Sequence, residues 1–487
     1  MSVVNITASL MGAHFEPSVA VSVLNPNIIN VIATDTTLGP TQIGIYRSVD
    51  GGATFSTGVL PLPVGFAGAE APTIEYIFSN TFLVGMHAFN DIQDGSIFVY
   101  RSTDNGATFS DPILVTRGYG TVVHNDIPYM AADRSPSSPF FGHIYMTYVP
   151  QFDFEFGNGN SSIFFRCSLD TGLTWEAPIR ISFPFGIQSR ASITVGLAGE
   201  VYVSWIMTGP ESPTYFIRRS LNGGVTFDPG ISKIPAKISN VTLVPNQLPG
   251  YTFRVLTLAS LGTDISASLF RGNIYAVWQD NRRGYSDILL STSQDGLLWS
   301  APQSITGSPI GSQNFFPYVT VSPFTGKVFV IYYTNRVDGH LLDTFVAESV
   351  DGSASFSNRR VTQTSFDPGS QPLIGDYITA SVIKSQTLAS VWAATVSGKL
   401  DVFLEHDNKA AGPAAFSYFS YASKQLKYLK MDLNTIFINF LQIMNSMLLL
   451  PLSMNWCSTS QVQARSPFPY GILMLLKAAD CSVPGSF

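Results

Sequence analysis

The 487-residue sequence predicts an all-β fold assembled from repeated four-stranded modules. Three observations carry that prediction: an octapeptide that recurs six times, short extended runs that flank each copy in the same order, and a composition poor in charge but rich in aromatics. Only 12% of residues are charged, about half of the ~25% usual in soluble domains, while Phe (35) and Tyr (20) are abundant. That balance excludes a disordered chain, which needs high charge and few aromatics. It also excludes a long coiled coil, which would be rich in Glu and Lys. Gly (40) and Pro (30) supply the many turns that short strands require. The net charge of −6 gives no basic field, so no nucleic-acid partner is expected.

The octapeptide reads Ser48-Val-Asp-Gly-Gly-Ala-Thr-Phe55, Ser102-Thr-Asp-Asn-Gly-Ala-Thr-Phe109 and Ser168-Leu-Asp-Thr-Gly-Leu-Thr-Trp175. Looser copies are Ser220-Leu-Asn-Gly-Gly-Val-Thr-Phe227, Thr292-Ser-Gln-Asp-Gly-Leu-Leu-Trp299 and Ser349-Val-Asp-Gly-Ser-Ala-Ser-Phe356. The closing aromatics stand 54, 66, 52, 72 and 57 residues apart. An Asp or Asn that folds onto nearby N–H groups, followed by Gly, makes a tight turn. The aromatic then offers a large apolar body to wedge between sheets. Each copy follows an extended run, at 42–47, 96–101, 161–166, 214–219, 287–291 and 343–348. A second run precedes it by one loop (29–33, 81–87, 143–149, 200–207, 273–278, 327–333), and a third precedes that (17–23, 72–78, 127–132, 192–197, 265–270, 318–321). A seventh set, 377–383, 388–394 and 399–405, carries no octapeptide. The count is seven modules of about 58 residues. Residues 3–9 precede the first module as a spare strand and are expected to complete the last module, which removes the exposed edges.

This octapeptide resembles the Asp-box, or bacterial neuraminidase (BNR), repeat of the sialidase-like β-propellers, whose pattern is Ser-x-Asp-x-Gly-x-Thr-Trp/Phe. The resemblance implies an all-β propeller of four-stranded blades over 1–407, with the box on the turn between the third and fourth strands. Seven blades are favoured; the six usual in sialidases would require one module to be an insertion. It also implies that the boxes are structural and that ligands meet the opposite face, at the axis. Arg47, Arg101 and Arg219, each directly before a box Ser, are read as repeated packing positions.

A sialidase-like enzyme uses three arginines to clamp the substrate carboxylate, a Tyr nucleophile activated by a Glu, and an Asp acid/base. On that resemblance the catalytic candidates are Tyr377, Asp376 and Glu16, and the ligand-binding candidates are Arg190, Arg282, Arg336, Asp126 and Asp280. The family's first arginine lies in an Arg-Ile-Pro motif; the comparable place reads Phe15-Glu16-Pro17-Ser18, so a glutamate replaces it. The plainer alternative for Arg282 and Arg336 is a loop charge paired with Asp280 or Asp338, and for Tyr377 an inward core aromatic. No P-loop, GxSxG or strand-following GxGxxG is present. No cofactor is called for, though Asp91, Asp94 and Glu155 are oxygen donors of the type calcium takes.

Residues 408–487 differ in kind. Five lysines and Arg465 face only Asp432 and Asp480, a balance of +4 that leaves −10 on the rest. The segment is read as an appendage, helical in part or disordered. Its 436–456 stretch is apolar but interrupted by Asn439, Gln442, Asn445 and Pro451, so packing is favoured over membrane association. Cys457 and Cys481 are a candidate disulfide. Met1-Ser-Val-Val-Asn-Ile-Thr has neither the basic nor the apolar region of a secretion signal, and no location is assigned. The favoured function is a propeller, non-catalytic or weakly catalytic, that binds a glycan or a protein on its loop face. The alternatives are an exo-sialidase-type glycoside hydrolase and a structural or surface-assembly protein.

Overall fold

The computed structural model describes residues 2–406 apart from 91–94, 121, 153–159, 185, 209–211, 231–232 and 385–386. The chain divides into the units Met1–Gln425 and Leu426–Phe487, and every described residue belongs to the first. The expectations for 408–487, including the 436–456 stretch and the Cys457–Cys481 pair, lie outside the described residues. So do the calcium candidates Asp91, Asp94 and Glu155.

Seven four-stranded antiparallel sheets are arranged as the blades of a propeller. Their innermost strands, blades 1 to 7, are His14–Val21, Gly68–Tyr76, Val123–Ala132, Ser192–Val195, Ala259–Thr263, Asn314–Val321 and Thr379–Lys384. Each packs against the innermost strand of the next blade, and Thr379–Lys384 returns to His14–Val21, so the ring closes. Blade 7 takes Thr387–Ala394 and Asp401–His406 from the end of the ring and Ser2–Asn5 from its beginning, in the register Ser2↔His406 and Asn5↔Phe403. All seven modules are blades, and none is an insertion.

One inner strand departs from the sequence reading. Blade 5 uses Ala259–Thr263, not 265–270. Asp264 explains the shift: its carboxylate accepts from Ser266 N (2.8 Å) and Ser268 Oγ (2.6 Å), which winds 265–270 into a turn despite its apolar residues.

The octapeptides lie between third and fourth strands. Ser48 Oγ accepts from Gly52 N (2.8 Å), while Asp50 accepts from Thr54 N (3.0 Å) and Thr54 Oγ1 (2.6 Å). The same bonds recur at Ser102/Asp104/Thr108 and Ser168/Asp170/Thr174. Gly172 has φ +91°, and a Cβ there would lie 2.8 Å from Leu83 Cδ1 of the preceding blade, so a side chain would strain the backbone and displace Leu83. The closing aromatics enter the seams as expected: Phe55 joins the blade 7/1 core and Phe227 the blade 3/4 core. Arg47 Nε donates to Asn105 O (2.9 Å) and Arg101 Nε to Thr171 O (3.2 Å), each reaching the octapeptide of the next blade.

The blade 6/7 seam has no octapeptide aromatic. Two long connections, 241–258 and 361–378, fill it with Tyr251, Phe253, Phe366 and Ile374. They are joined by Arg254 N donating to Pro372 O (3.0 Å).

Two devices organise the axis. Val19, Ile74, Leu261 and Val319 N–H groups donate to Thr379 Oγ1, Ser18 Oγ, Ser192 Oγ and Ser260 Oγ of the preceding inner strand, at 2.9–3.2 Å. Inner strands of blades 1, 2, 3 and 6 also carry a bulge at an X-Pro pair: Glu16-Pro17, Ala71-Pro72, Ile127-Pro128 and Phe316-Pro317. The residue before each proline has φ between 49° and 55°. Proline has no N–H for the ladder, so the break falls there, and a bulge re-aims the adjoining side chains. Here it turns residues just before the proline toward the axial mouth, opposite the octapeptides.

Candidate functional site

The mouth gathers carboxylates from four consecutive blades. Glu16, Glu70 and Asp126 stand at the bulges of blades 1, 2 and 3, and Asp376 leads into blade 7. Gly375 (φ +93°) permits this approach, since a Cβ there would lie 2.9 Å from Glu16 N.

Glu16 is buried. Its Oε2 accepts from Thr34 Oγ1 and Ala71 N, both at 3.3 Å. Burial, and then the neighbouring Asp376, Glu70 and Asp126 charges, push its carboxyl up to about 8. It therefore carries a proton at neutral pH. Asp376 Oδ2 binds Arg254 Nη2 at 2.5 Å, while Oδ1 is buried without a hydrogen-bond partner. Burial raises Asp376 as well, against the pull of Arg254. Glu70 moves the other way, lowered first by the nearby His87 ring. His87 is itself buried, with Nδ1 3.6 Å from Glu70 Oε1 and 3.4 Å from Asp126 Oδ1. Asp126 Oδ2 also accepts from Gln151 Nε2 (3.3 Å). The His124 ring meets His87 edge-on, with centroids 4.7 Å apart.

Arg190 closes the floor. Its guanidinium lies 4.0 Å from the Tyr377 ring centroid and 4.6 Å from that of Tyr129. Tyr377 is buried, and its hydroxyl donates to Pro72 O (2.7 Å). Burial, then the Glu16 charge, drive that hydroxyl well above the ordinary tyrosine value. Beneath lies a cavity of only ≈ 20 Å³, lined by Tyr129, Arg190, Tyr318 and Tyr377. Further along the inner strand of blade 2, Glu75 faces Arg134 at 3.9 Å, and burial raises it to about 7.

Of the residues singled out from sequence, Glu16, Asp126, Arg190, Asp376 and Tyr377 come together here. Asp280, Arg282 and Arg336 do not contact them. Asp280 is buried and grips Arg282 Nε and Nη2 at 2.8 Å each, and Arg282 Nη2 also donates to Asn240 O (2.6 Å). That pair pins the 281–286 turn to blade 4. Arg336 donates to Thr306 O and Gly307 O, both at 2.9 Å, and covers the Phe345 ring. Both arginines fasten loops. Sequence reasoning missed Glu70, His87 and Arg254. Glu70-Ala71-Pro72 repeats the bulge pattern of Phe15-Glu16-Pro17 shifted by one residue, a usable signal; Arg254 lies in an unpatterned connection. Among the described residues no His, Cys, Asp or Glu grouping suits a metal ion, and no helix is long and apolar enough to cross a membrane.

Fold and site together define a seven-bladed β-propeller with an acidic, arginine-containing axial mouth. No family model and no curated protein matches the chain. Solved structures similar to it include a Hadza microbial sialidase, with 15% identity and a TM-score of 0.47 over 78% of this chain and 74% of that one. An α-L-arabinanase of Penicillium chrysogenum complexed with arabinobiose has 13% identity and a TM-score of 0.46 over 83% and 98%. A sialidase of Streptococcus pneumoniae has 10% identity and a TM-score of 0.46 over 83% and 97%.

Proposed function

We propose that the protein recognises a carbohydrate at its axial mouth. The observation that carries this reading is the convergence of Glu16, Glu70, Asp126 and Asp376 with Arg190 and Arg254. Carboxylates and guanidinium groups held on inner strands and on the connections that lead into them are the polar set that reads sugar hydroxyls by charge-assisted hydrogen bonds. The charge balance favours a neutral or amino sugar. Carboxylates outnumber arginines, and Arg190 lies on two aromatic rings rather than in a three-arginine clamp. A sialoside carboxylate would meet Glu70 and Asp126 instead. The octapeptides, on this reading, are Asp boxes that hold the scaffold.

A hydrolytic version has one specific support. Glu16 is pushed up and Glu70 down, and two carboxyls held apart in this way divide into acid and base. Glu16 would protonate the leaving oxygen and Glu70 would act as base or nucleophile. Tyr377 would then position Arg190, since a hydroxyl raised by burial is a poor nucleophile. The test is a glycan array followed by calorimetry, alongside chromogenic neutral glycosides and a fluorogenic sialoside. Binding of neutral or amino sugars, lost in Asp126→Ala, supports the reading. Turnover lost in Glu16→Gln supports the hydrolytic version. Tight binding or cleavage of the sialoside alone would refute the neutral-sugar assignment.

A further inference from the structure

We propose that the groove beside Arg254 is a second saccharide subsite. The ligand is then an oligosaccharide whose terminal unit lies over the axis and whose next unit lies against Asn246, Gln247, Thr252 and Pro372. This rests on the carbohydrate reading and extends it.

The axis cannot lengthen the site downward, because the ≈ 20 Å³ beneath Arg190 holds about one water. A ligand at the mouth must therefore extend sideways. The groove of Asn246, Gln247, Thr252, Arg254 and Pro372 has a volume of ≈ 360 Å³, within the ~300–1,000 Å³ usual for ligand clefts. Arg254 makes it continuous with the mouth, lining the groove while binding Asp376 Oδ2. Half of the Arg254 side chain (52%) remains exposed, and a guanidinium has five donors, more than Asp376 uses.

The walls are set before any ligand arrives. They come from the 241–258 and 361–378 connections, which are tied by Arg254 N to Pro372 O (3.0 Å) and by Thr252 Oγ1 to Gly369 O (3.3 Å) and Gln371 O (3.4 Å). Gln247 Nε2 donates to Thr252 O (3.0 Å) and braces the same turn. Such preorganisation spares a ligand the cost of ordering loops. The chemistry suits a polyhydroxylated ring: exposed amides and a guanidinium for hydroxyls, and the flat Pro372 ring for a C–H face. The 241–258 connection joins blade 4 to blade 5 and the 361–378 connection joins blade 6 to blade 7, so the groove between them sets the direction in which a ligand leaves the axis.

The experiment titrates the full-length protein with neutral pentose and hexose oligosaccharides of one to four units by calorimetry. It compares wild type with an Asn246→Ala/Gln247→Ala double variant and a groove-filling Thr252→Trp variant, all at exposed positions. Affinity is expected to rise about tenfold from one unit to two, the gain of one or two hydrogen bonds, and both variants should remove that rise. Equal affinity for one and two units, or a rise that survives both variants, overturns the subsite alone. If wild type binds no saccharide of any length, the carbohydrate reading falls and takes the subsite with it.

Discussion

On the octapeptide face, Asp50 and Asp351 are wrapped by donors and held low, at about 2, chiefly by the Thr54 and Ser355 side chains. At the axial mouth Glu16 is buried, crowded by other carboxylates and raised to about 8. The two faces share one set of strands but treat a carboxyl in opposite ways. The turn face repeats a single solution, in which each acid completes its own turn and each preceding arginine ties it to a neighbour. The side chains at the mouth do not repeat: equivalent positions in or just before the inner strands hold Glu16, Ala71, Ile127, Arg190, Leu258, Phe316 and Tyr377. Uniform satisfaction marks the part that maintains the fold, and unrelieved charge marks the part available to a ligand.

The sharpest way to break the repeated face is Gly172→Val. A branched side chain at φ +91° and against Leu83 is expected to cost about 3–5 kcal/mol, read from the denaturant midpoint. A shift under about 1 kcal/mol would show that the seam yields easily. At the mouth, Glu16→Gln tests the opposite sign. Between the ordinary carboxyl value of 4.5 and about 8 the folded protein holds a proton that the unfolded chain releases, so stability falls as pH rises through that window. Gln mimics the protonated acid and abolishes the fall. The variant should match wild type near pH 4.5 and exceed it above pH 8 by on the order of 5 kcal/mol. An equal difference at both pH values would remove Glu16 as the source.

The same contrast explains what could be read from residues alone. Strand order, blade number, the turn role of the octapeptides and the seam role of their aromatics follow from local chemistry repeated often enough to stand out. Arg47 and Arg101 are legible for the same reason. The mouth depends on where an X-Pro bulge turns a side chain and on which distant blades meet. Glu16, Asp126, Arg190, Asp376 and Tyr377 stand out as unrepeated loop residues, but Arg282 and Arg336 share that trait and fasten loops instead. Arg254 reaches Asp376 from a connection with no periodic pattern, across 122 residues of sequence.

Smaller effects separate the faces further. Arg101→Met keeps the apolar stem and removes the bonds to Thr171 O (3.2 Å) and Thr171 Oγ1 (3.1 Å) in the next blade. The expected loss is about 1–2 kcal/mol of stability, with saccharide affinity unchanged. A change in affinity would mean that the seams transmit to the mouth.

The smallest effect is the most selective. Asn222 already replaces Asp in one octapeptide, accepting from Thr226 N (2.9 Å) and donating from Nδ2 to Thr226 Oγ1 (2.8 Å). Asp50→Asn should therefore keep its turn and cost less than about 0.5 kcal/mol at pH 7. What changes is the acid limb. The Asp50 contribution is present above its ordinary value of 3.8 and lost as pH falls toward about 2, because the unfolded chain then holds the proton more tightly. The Asn variant lacks that loss, so it should gain on wild type as pH falls from 4 to 2. A gap that stays constant would mean the Thr54 bonds hold the turn without favouring the charged form, and the two faces would then differ only in burial.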